Sequence, residues 1–231
     1  MYSNLPNILN DIHTILVPKG CFGCNVLLYK GERLLCTVCR NQLPLTDYNF
    51  TKNNPVDRVF YGKINIKKAS SFLFFTKNGI VMNVIHHLKY KNRQEIGSFL
   101  GDWYGQILKE ENALPIIDFI IPVPLHKNKL KKRGYNQVTL FGERLAYHLN
   151  TTYLDSCLIK TKNNKTQTKK SRPNRWLSTK EVFTLANPEI IKNKTVLLID
   201  DIITTGATME ACANVLKETK NIYITSIAVV P

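Results

Sequence analysis

Apolar residues occur along the chain in two patterns, short continuous runs and segments with helical spacing. Continuous runs of a length typical of buried strands lie at 69–76, 116–123, 196–199 and 223–230. Segments with apolar residues every three or four positions lie at 80–90, 95–108, 135–149 and 208–217. From residue 116 onward the two patterns alternate. This alternation predicts an α/β fold with a parallel sheet covered by helices, in which ligands bind at the carboxyl ends of the strands.

Residues 1–60 differ from the rest of the chain. They contain no long periodic segment, are rich in Asn, Pro and Gly, and hold a close group of cysteines. We therefore expect a small metal-held module at 1–60, followed by the larger domain over 61–231. A polar, basic stretch at 160–180 predicts a long excursion or flap within that domain.

Four of the six cysteines form two Cys-x-x-Cys pairs, Cys21 with Cys24 and Cys36 with Cys39. Tetrahedral zinc takes four thiolates from two such pairs, and a metal with all four positions filled has a structural role. Two disulfides are disfavoured in a reducing compartment, and a redox motif would need one pair only. The spacing predicts a structural zinc site, with Gly23 allowing a tight turn in the first pair.

The remaining two cysteines, Cys157 and Cys212, lie in apolar contexts. Free cysteine behaves as a small apolar residue and is often buried. We expect both to be core residues.

The chain is strongly basic: it has 32 Lys and Arg against 17 Asp and Glu, which gives a formal net charge of +15. The stretches 58–93 and 160–180 contain basic residues and no acidic ones. Such charge attracts phosphate-rich partners, nucleic acid among them, but a solvated basic face accounts for it equally well. The first residues lack a secretory pattern, and no apolar run has membrane-spanning length. We expect a cytoplasmic protein with reduced thiols and no membrane insertion.

The segment 196–208 combines an apolar strand, two acids, a loop of small residues and the start of a helix. Ionised carboxylates accept hydrogen bonds, so Asp200 and Asp201 at a strand end suit the hydroxyl donors of a ribose diol. The residues that follow can surround a phosphate with backbone amides and hydroxyls: Thr204, Thr205, Gly206, Ala207 and Thr208. Alternatively, the acids cap a loop and a threonine caps the helix. The order of strand, acids and glycine-containing loop favours ligand binding.

This segment resembles the diphosphoribosyl-binding motif of type I phosphoribosyltransferases. With the paired cysteines, further segments resemble the ComF family of competence-associated phosphoribosyltransferase-like proteins: His-Leu-Lys-Tyr at 87–90, Ile-Pro-Val-Pro-Leu at 121–125, Arg-Gly-Tyr-Asn-Gln at 133–137, and Gln167. The resemblance covers nearly the whole chain. It implies a type I phosphoribosyltransferase-like parallel sheet flanked by helices, with a small N-terminal four-cysteine zinc module. It also implies that Asp200 and Asp201 bind the ribose hydroxyls of phosphoribosyl diphosphate and that 204–208 surround its 5-phosphate.

The resemblance also implies where the diphosphate lies. It places 122–125 at a strand end facing that group, and Arg133, with Lys131 and Lys132, is a candidate to neutralise it together with magnesium. A solvated loop at 127–133 is an equal alternative.

The chain departs from the family pattern at 166–174, where Lys169 and Lys170 are more basic than expected. This leaves open the roles of Gln167, Arg172 and Asn174. His86 and His87 are expected to be structural or solvent-facing.

Two functions fit these features. The first is a phosphoribosyl-diphosphate-binding protein that handles single-stranded DNA during DNA uptake and natural transformation. Aromatic residues near the basic stretches are candidates to stack on bases, although most aromatics in such runs are core: Phe72, Phe74, Phe75, Tyr90, Tyr135 and Trp176. The second is an active phosphoribosyltransferase of nucleotide metabolism, in which a nitrogen base or amine displaces diphosphate without any nucleic-acid binding. We favour the first and leave catalysis open.

Overall fold

Between residues 19 and 60 the chain is built from turns and two short helices. The structure is a computed structural model that describes residues 19–161 and 182–231. The short helices are α1 (Thr37–Asn41) and α2 (Pro55–Arg58). Asn54 caps the start of helix α2: its side chain accepts hydrogen bonds from the N–H groups of Val56 and Asp57, and the Asp57 carboxylate accepts one from the Asn54 N–H in return. This reciprocal capping fixes the segment that leads to Val59 and Phe60.

A parallel sheet forms the centre of the molecule. Its strands, and those of a separate pair, are β1 (Lys68–Ala69), β2 (Leu73–Phe74), β3 (Phe119–Pro122), β4 (Thr152–Tyr153), β5 (Leu158–Lys160), β6 (Phe183–Leu185), β7 (Thr195–Ile203) and β8 (Asn221–Val229). The order in the main sheet is β1-β8-β7-β3-β4, and β2 also pairs with β8. Strands β5 and β6 form an antiparallel pair of their own. The predicted parallel sheet is confirmed.

Helices cover both faces of this sheet. They are α3 (Ile80–Tyr90), α4 (Glu95–Glu110), α5 (Lys127–Arg133), α6 (Thr139–His148) and α7 (Ala207–Ala213), with a 3₁₀ turn at Pro188–Ile191. Helices α3, α4 and α6 share one hydrophobic core with the cysteine group, and α2 and α7 belong to the core of the opposite face. Helix α4 approaches α6 closely, since a Cβ on Gly101 would lie 2.7 Å from the Phe141 carbonyl oxygen. No helix in the described ranges is long and apolar enough to span a membrane.

Three of the differences from the expected element boundaries have a clear physical cause. The strand expected at 69–76 is interrupted at 70–72, where the buried Ser70 hydroxyl lies 2.9 Å from the Tyr104 hydroxyl. Helix α7 ends at Ala213 and not at residue 217, because the N–H groups of Val215 and Leu216 bond to carbonyls three residues back in a tighter turn.

The third difference bears on function. The strand expected at 196–199 continues through both acids to Ile203, since Asp200, Ile202 and Ile203 still pair with β8. The acids therefore lie within the last residues of a hydrogen-bonded strand, and only the residues from Thr204 onward form the loop. Their backbone is held by the sheet.

Candidate ligand cleft and metal centre

Two acids lie together at the carboxyl end of the central strand β7. Asp201 is buried, and its N–H donates a 2.8 Å hydrogen bond to Asp200 Oδ1. Lys89 Nζ, from helix α3, lies 3.0 Å from Asp201 Oδ2. Apart from that ion pair, this buried oxygen has no hydrogen-bond partner among the described residues. The pair thus retains unused acceptor capacity.

The environment of Asp200 disfavours its ionised form. Burial, together with the negative charge of Asp201, raises the pKa of the Asp200 carboxyl from 3.8 to about 8. Lys89 and Lys160 oppose this change because their positive charges favour the carboxylate. A ligand that brings hydroxyl donors or a cation would relieve the same unfavourable charge.

We expect Asp200→Asn to raise the free energy of unfolding at about pH 8. The pKa of Asp200 is higher in the folded state than in the unfolded state, so the wild-type protein loses stability as pH rises from about 4 toward about 8. The asparagine side chain does not ionise, so the variant avoids this loss. Asp200 remains partly exposed to the cleft, so solvent weakens the effect of its raised pKa on stability. The expected gain in the free energy of unfolding is therefore ~1–2 kcal/mol, less than the whole pKa shift would give. Urea unfolding at about pH 5 and about pH 8 measures the difference.

Asp201→Asn is the matched control, because it removes the same charge but deprives Lys89 of its partner. We expect no gain in stability from it. If both variants gained the same free energy of unfolding, the effect would come from repulsion between the two acids alone. Unchanged stability of Asp200→Asn at the higher pH would contradict the raised pKa.

The loop after the acids turns sharply at Gly206. Its backbone has φ 76°, and an added Cβ would lie 2.7 Å from Val59 Cγ1 and 2.8 Å from Phe60 Cε1. Thr204, Thr205, Ala207 and Thr208 are exposed around a small hollow of about 30 Å³, while Gly206 is buried beneath them. The side chains of the loop thus face outward because the N-terminal segment packs under its glycine.

Gly206→Ala is expected to destabilise the protein by ~2–5 kcal/mol, since positive φ and overpacking against Val59 and Phe60 both act there. Gly62→Ala is the matched control, with φ 72° and no atom within 4 Å of the added Cβ. It should cost only the backbone term of ~1–2 kcal/mol. Thermal unfolding compares them, and equal losses would refute a role for the packing beneath the loop.

The acids open into a cleft of about 220 Å³ that is walled by positive charge. Four basic side chains line it: Lys89, Lys129, Arg133 and Lys160. Arg133 is held in place by a hydrogen bond to the Gln137 side chain and lies 5.6 Å from the centre of the Tyr90 ring. Burial, and then the charge of Lys129, lower the pKa of Lys160. An anion in the cleft would meet these charges at short range.

Only some of the basic residues of 127–133 line the cleft. Arg133 lines the cleft, whereas Lys131 and Lys132 are not among the described residues that line it. Lys129 takes their place because it lies four residues before Arg133 and so shares its face of helix α5. Helical spacing could have identified Lys129. Lys160 begins the basic stretch 160–180, but no sequence pattern placed it at this cleft, which it reaches from the separate pair β5–β6.

The opposite wall comes from the residues after strand β3. Val123, Pro124 and Leu125 line the cleft, and they are three of the four residues that the family resemblance places at the strand end facing the diphosphate. The Asn136 side chain donates a 2.9 Å hydrogen bond to the Val123 carbonyl. The Tyr135 hydroxyl donates to the Leu88 carbonyl, which joins this wall to helix α3. The polar residues of 133–137 therefore hold the cleft together.

Four thiols meet in the N-terminal part. The sulfur atoms of Cys21, Cys24, Cys36 and Cys39 all lie within 4.8 Å of one another, and those of Cys24 and Cys36 are 3.8 Å apart. Tetrahedral bonds of ~2.3 Å to zinc would separate two sulfur atoms by roughly 3.8 Å. The cluster therefore fits a metal ion such as zinc.

Electrostatics in this cluster favour one thiolate, at Cys21, and oppose further ones unless a cation is bound. Burial opposes ionisation of Cys21, but backbone N–H groups, that of Cys36 first, lower its pKa to about 7. Burial and the neighbouring sulfurs raise the pKa of Cys39, so further thiolates require a compensating positive charge. Gly23 lacks the positive φ that a tight turn would suggest. Its missing Cβ instead leaves room for Cys39 Sγ, which would lie 2.8 Å away.

Helix α3 connects the two sites. Near its start, the Asn83 side chain donates a 2.7 Å hydrogen bond to the Gly23 carbonyl within the cysteine cluster. Near its end it carries Lys89, which pairs with Asp201. His87, on the same helix, packs with its ring 4.8 Å from that of Phe22, which supports the structural role expected of it. The position of Lys89 thus depends on how the cysteine cluster seats this helix.

Several other expectations can be placed. Cys157 and Cys212 are buried as predicted. Of the candidate stacking residues, Phe72 is core, Tyr90 is 67% exposed beside the cleft, and Phe74, Phe75 and Tyr135 are half-buried. The expectations for Trp176 and for 166–174 lie outside the described residues.

Comparison with protein families identifies the class of protein to which this sheet and this site belong. Residues 139–230 match the phosphoribosyl transferase domain family. The matched part includes the central strand, both acids and the loop. The chain has a type I phosphoribosyltransferase fold, with the four-cysteine cluster near its N-terminus.

Comparison with known proteins narrows the class. DNA utilization protein YhgH of Shigella flexneri is 30% identical over 217 residues, covering 87% of this chain and 92% of that protein. Competence protein ComFC of Bacillus subtilis is 27% identical over 205 residues, 87% of this chain and 78% of that protein. Competence protein F of Haemophilus influenzae is 33% identical over 114 residues, so the match spans about half, 48%, of each chain. The chain belongs to the ComF family of phosphoribosyltransferase-like proteins.

Proposed function

We propose that the protein binds phosphoribosyl diphosphate in the cleft at the end of β7 and handles single-stranded DNA during DNA uptake. One observation carries the first part: a buried carboxylate with unused acceptor capacity, Asp201, stands beside Asp200 at the mouth of a cleft whose other charged walls are cationic. A molecule with a vicinal diol and several phosphates is complementary to both features.

Each part of the cleft has a role in this proposal. Asp200 and Asp201 accept hydrogen bonds from the ribose hydroxyls. Thr204, Thr205, Gly206, Ala207 and Thr208 surround the 5-phosphate with hydroxyls and backbone N–H groups. Arg133, joined by Lys129 and Lys160, faces the diphosphate, and Lys89 holds Asp201 in position. Magnesium carried by the diphosphate would supply further positive charge, and the two carboxylates are suitable oxygen ligands near it.

The cysteine cluster is proposed to hold zinc. Four thiolates fill a tetrahedral zinc ion, which leaves no position for substrate, so the ion stabilises the fold. Its link to the cleft is mechanical, through Asn83 and helix α3.

The DNA-handling part rests on family membership and charge. Relatives are named for competence and DNA utilization, and the chain carries a net charge of +15. We expect a labelled single-stranded oligonucleotide to bind at low salt, with log affinity falling by about 0.7 per neutralised phosphate for each unit of log salt. Fluorescence anisotropy over a salt series measures this slope. No binding at the lowest salt would refute this part of the proposal.

An active phosphoribosyltransferase without nucleic-acid binding is the second candidate, favoured by the match to the transferase domain family. In that reaction a nitrogen nucleophile attacks the anomeric carbon, the bond to the diphosphate oxygen breaks, and the diphosphate leaves with both bonding electrons. Diphosphate release that depends on an added base or amine, together with absence of DNA binding, would favour this candidate. Ligand binding with no such release would support the first.

A further inference from the structure

A second cleft, larger than the first, lies at the opposite end of the parallel strands. It has a volume of about 330 Å³ and opens between the segment 63–67 and the chain that runs from the end of α7 to the start of β8. Because β8 is parallel to β7, its first residues, Asn221 and Ile222, lie at the far end of the sheet from Asp200. This cleft shares no lining residue with the proposed phosphoribosyl diphosphate site, although Lys63 reaches from it to the Thr205 carbonyl of the phosphate loop.

The charge of this second cleft is of one sign. Lys63, Lys67, Lys217 and Lys220 line it, all four are exposed, and none of the described lining residues is acidic. No described acid forms an ion pair with any of the four. Neighbouring lysines behave differently, since Lys68 pairs with Asp57 and Lys194 with Asp118. The positive charge of the cleft thus has no acidic partner among the described residues.

The remaining lining suits a sugar–phosphate chain. Ile64, Ile66 and Leu216 give an apolar floor, and the rim carries the amides of Asn65 and Asn214 and the hydroxyl of Thr219. Lysine ammonium groups act as mobile point charges, which suits a row of phosphates better than one rigidly oriented anion. No described lining residue is aromatic, so base stacking is not provided there.

We propose that this cleft binds the backbone of single-stranded DNA without regard to sequence. The inference rests on the proposed DNA-handling function and assigns it a place outside the phosphoribosyl diphosphate site. A concave cleft accepts a flexible single strand, whose sugars and phosphates can enter it, more readily than a rigid duplex.

Lys63 is unsuitable for the test, because its Nζ also donates a 3.4 Å hydrogen bond to the Thr205 carbonyl of the phosphate loop. The test variant is Lys217→Glu with Lys220→Glu. The control is Lys77→Glu with Lys109→Glu, which changes the net charge equally at two exposed lysines that line neither cleft. A third variant, Lys217→Gln with Lys220→Gln, removes charge without reversing it.

Oligonucleotide anisotropy and calorimetric titration of phosphoribosyl diphosphate with magnesium are measured on all of them. We expect the cleft variant to lose on the order of tenfold in oligonucleotide affinity and about 1.4 in salt slope, two contacts at about 0.7 each. The glutamine variant should lose the same slope with a smaller loss of affinity. Phosphoribosyl diphosphate binding should be unchanged, which also reports that the variants fold.

Two outcomes would overturn the inference while leaving the proposed function intact. In one, the wild-type protein binds the oligonucleotide and the cleft variant binds it equally well. In the other, the control variant loses as much affinity as the cleft variant, which would show a response to net charge only. If the wild-type protein binds no oligonucleotide, the proposed DNA function and the cleft inference both fail.

Discussion

Cys36→Ser should abolish binding of the proposed metal ion and lower the free energy of unfolding by at least about 4 kcal/mol. The cluster joins segments around Cys21 and Cys39 that have little regular structure, so a metal ion bound there would supply much of their folding energy. A loss of that size lowers Tm by roughly 8–16 °C for a chain of this length. Metal content and thermal unfolding, each with and without a chelator, measure the effect.

Cys157→Ser is the matched control, because Cys157 is 4% exposed and lies outside the cluster. It should keep the metal and lose only ~1–3 kcal/mol, the cost of a buried hydroxyl. Chelator should lower the Tm of the wild-type protein and of this control, and leave Cys36→Ser unchanged. A wild-type protein with no metal and the same Tm as Cys36→Ser would refute the structural role.

Loss of the metal should also weaken the ligand cleft. Helix α3 is seated on the cluster through Asn83 and presents Lys89 to Asp201. We therefore expect Cys36→Ser, at a temperature where it remains folded, to bind phosphoribosyl diphosphate more weakly than Cys157→Ser does.

The second large effect is expected from replacing both acids. Asp200→Asn with Asp201→Asn keeps the size of the side chains but converts charged acceptors into amides. Hydrogen bonds to charged groups contribute ~1.5–3 kcal/mol each, so phosphoribosyl diphosphate affinity should fall about 100-fold or more. Calorimetric titration in the presence of magnesium measures this.

Asp102→Asn is the control for that titration. Asp102 pairs with Arg144 and His148 at the α4–α6 contact and does not line the cleft. The control should bind phosphoribosyl diphosphate as the wild-type protein does. Retained affinity in the double variant would remove the acids from the site.

Local pattern predicted much of this architecture. Helix α3 matches the expected 80–90 exactly, and α4, β3, α6 and β8 lie within a few residues of their expected bounds. These elements are buried on one face or on both, so the spacing of their apolar residues predicts where they begin and end. Cys-x-x-Cys spacing likewise predicted which four thiols meet.

Features set by distant contacts escaped prediction. Strand β7 extends through Asp200 to Ile203 because β8 supplies partners for it. Gly206 is required as much by Val59 and Phe60 as by its own φ, and those residues lie in a remote part of the sequence. Lys160 reaches the cleft from a strand whose pairing no local pattern revealed.

The central claim is that the acids at the end of β7 and the loop after them form a sugar-phosphate pocket. A crystal structure of the protein soaked with phosphoribosyl diphosphate and magnesium tests it most directly. We predict a phosphate enclosed by 204–208 and ribose hydroxyls within hydrogen-bonding distance of Asp200 and Asp201. The ligand bound elsewhere, with the loop empty and both carboxylates turned away from it, would contradict the proposal.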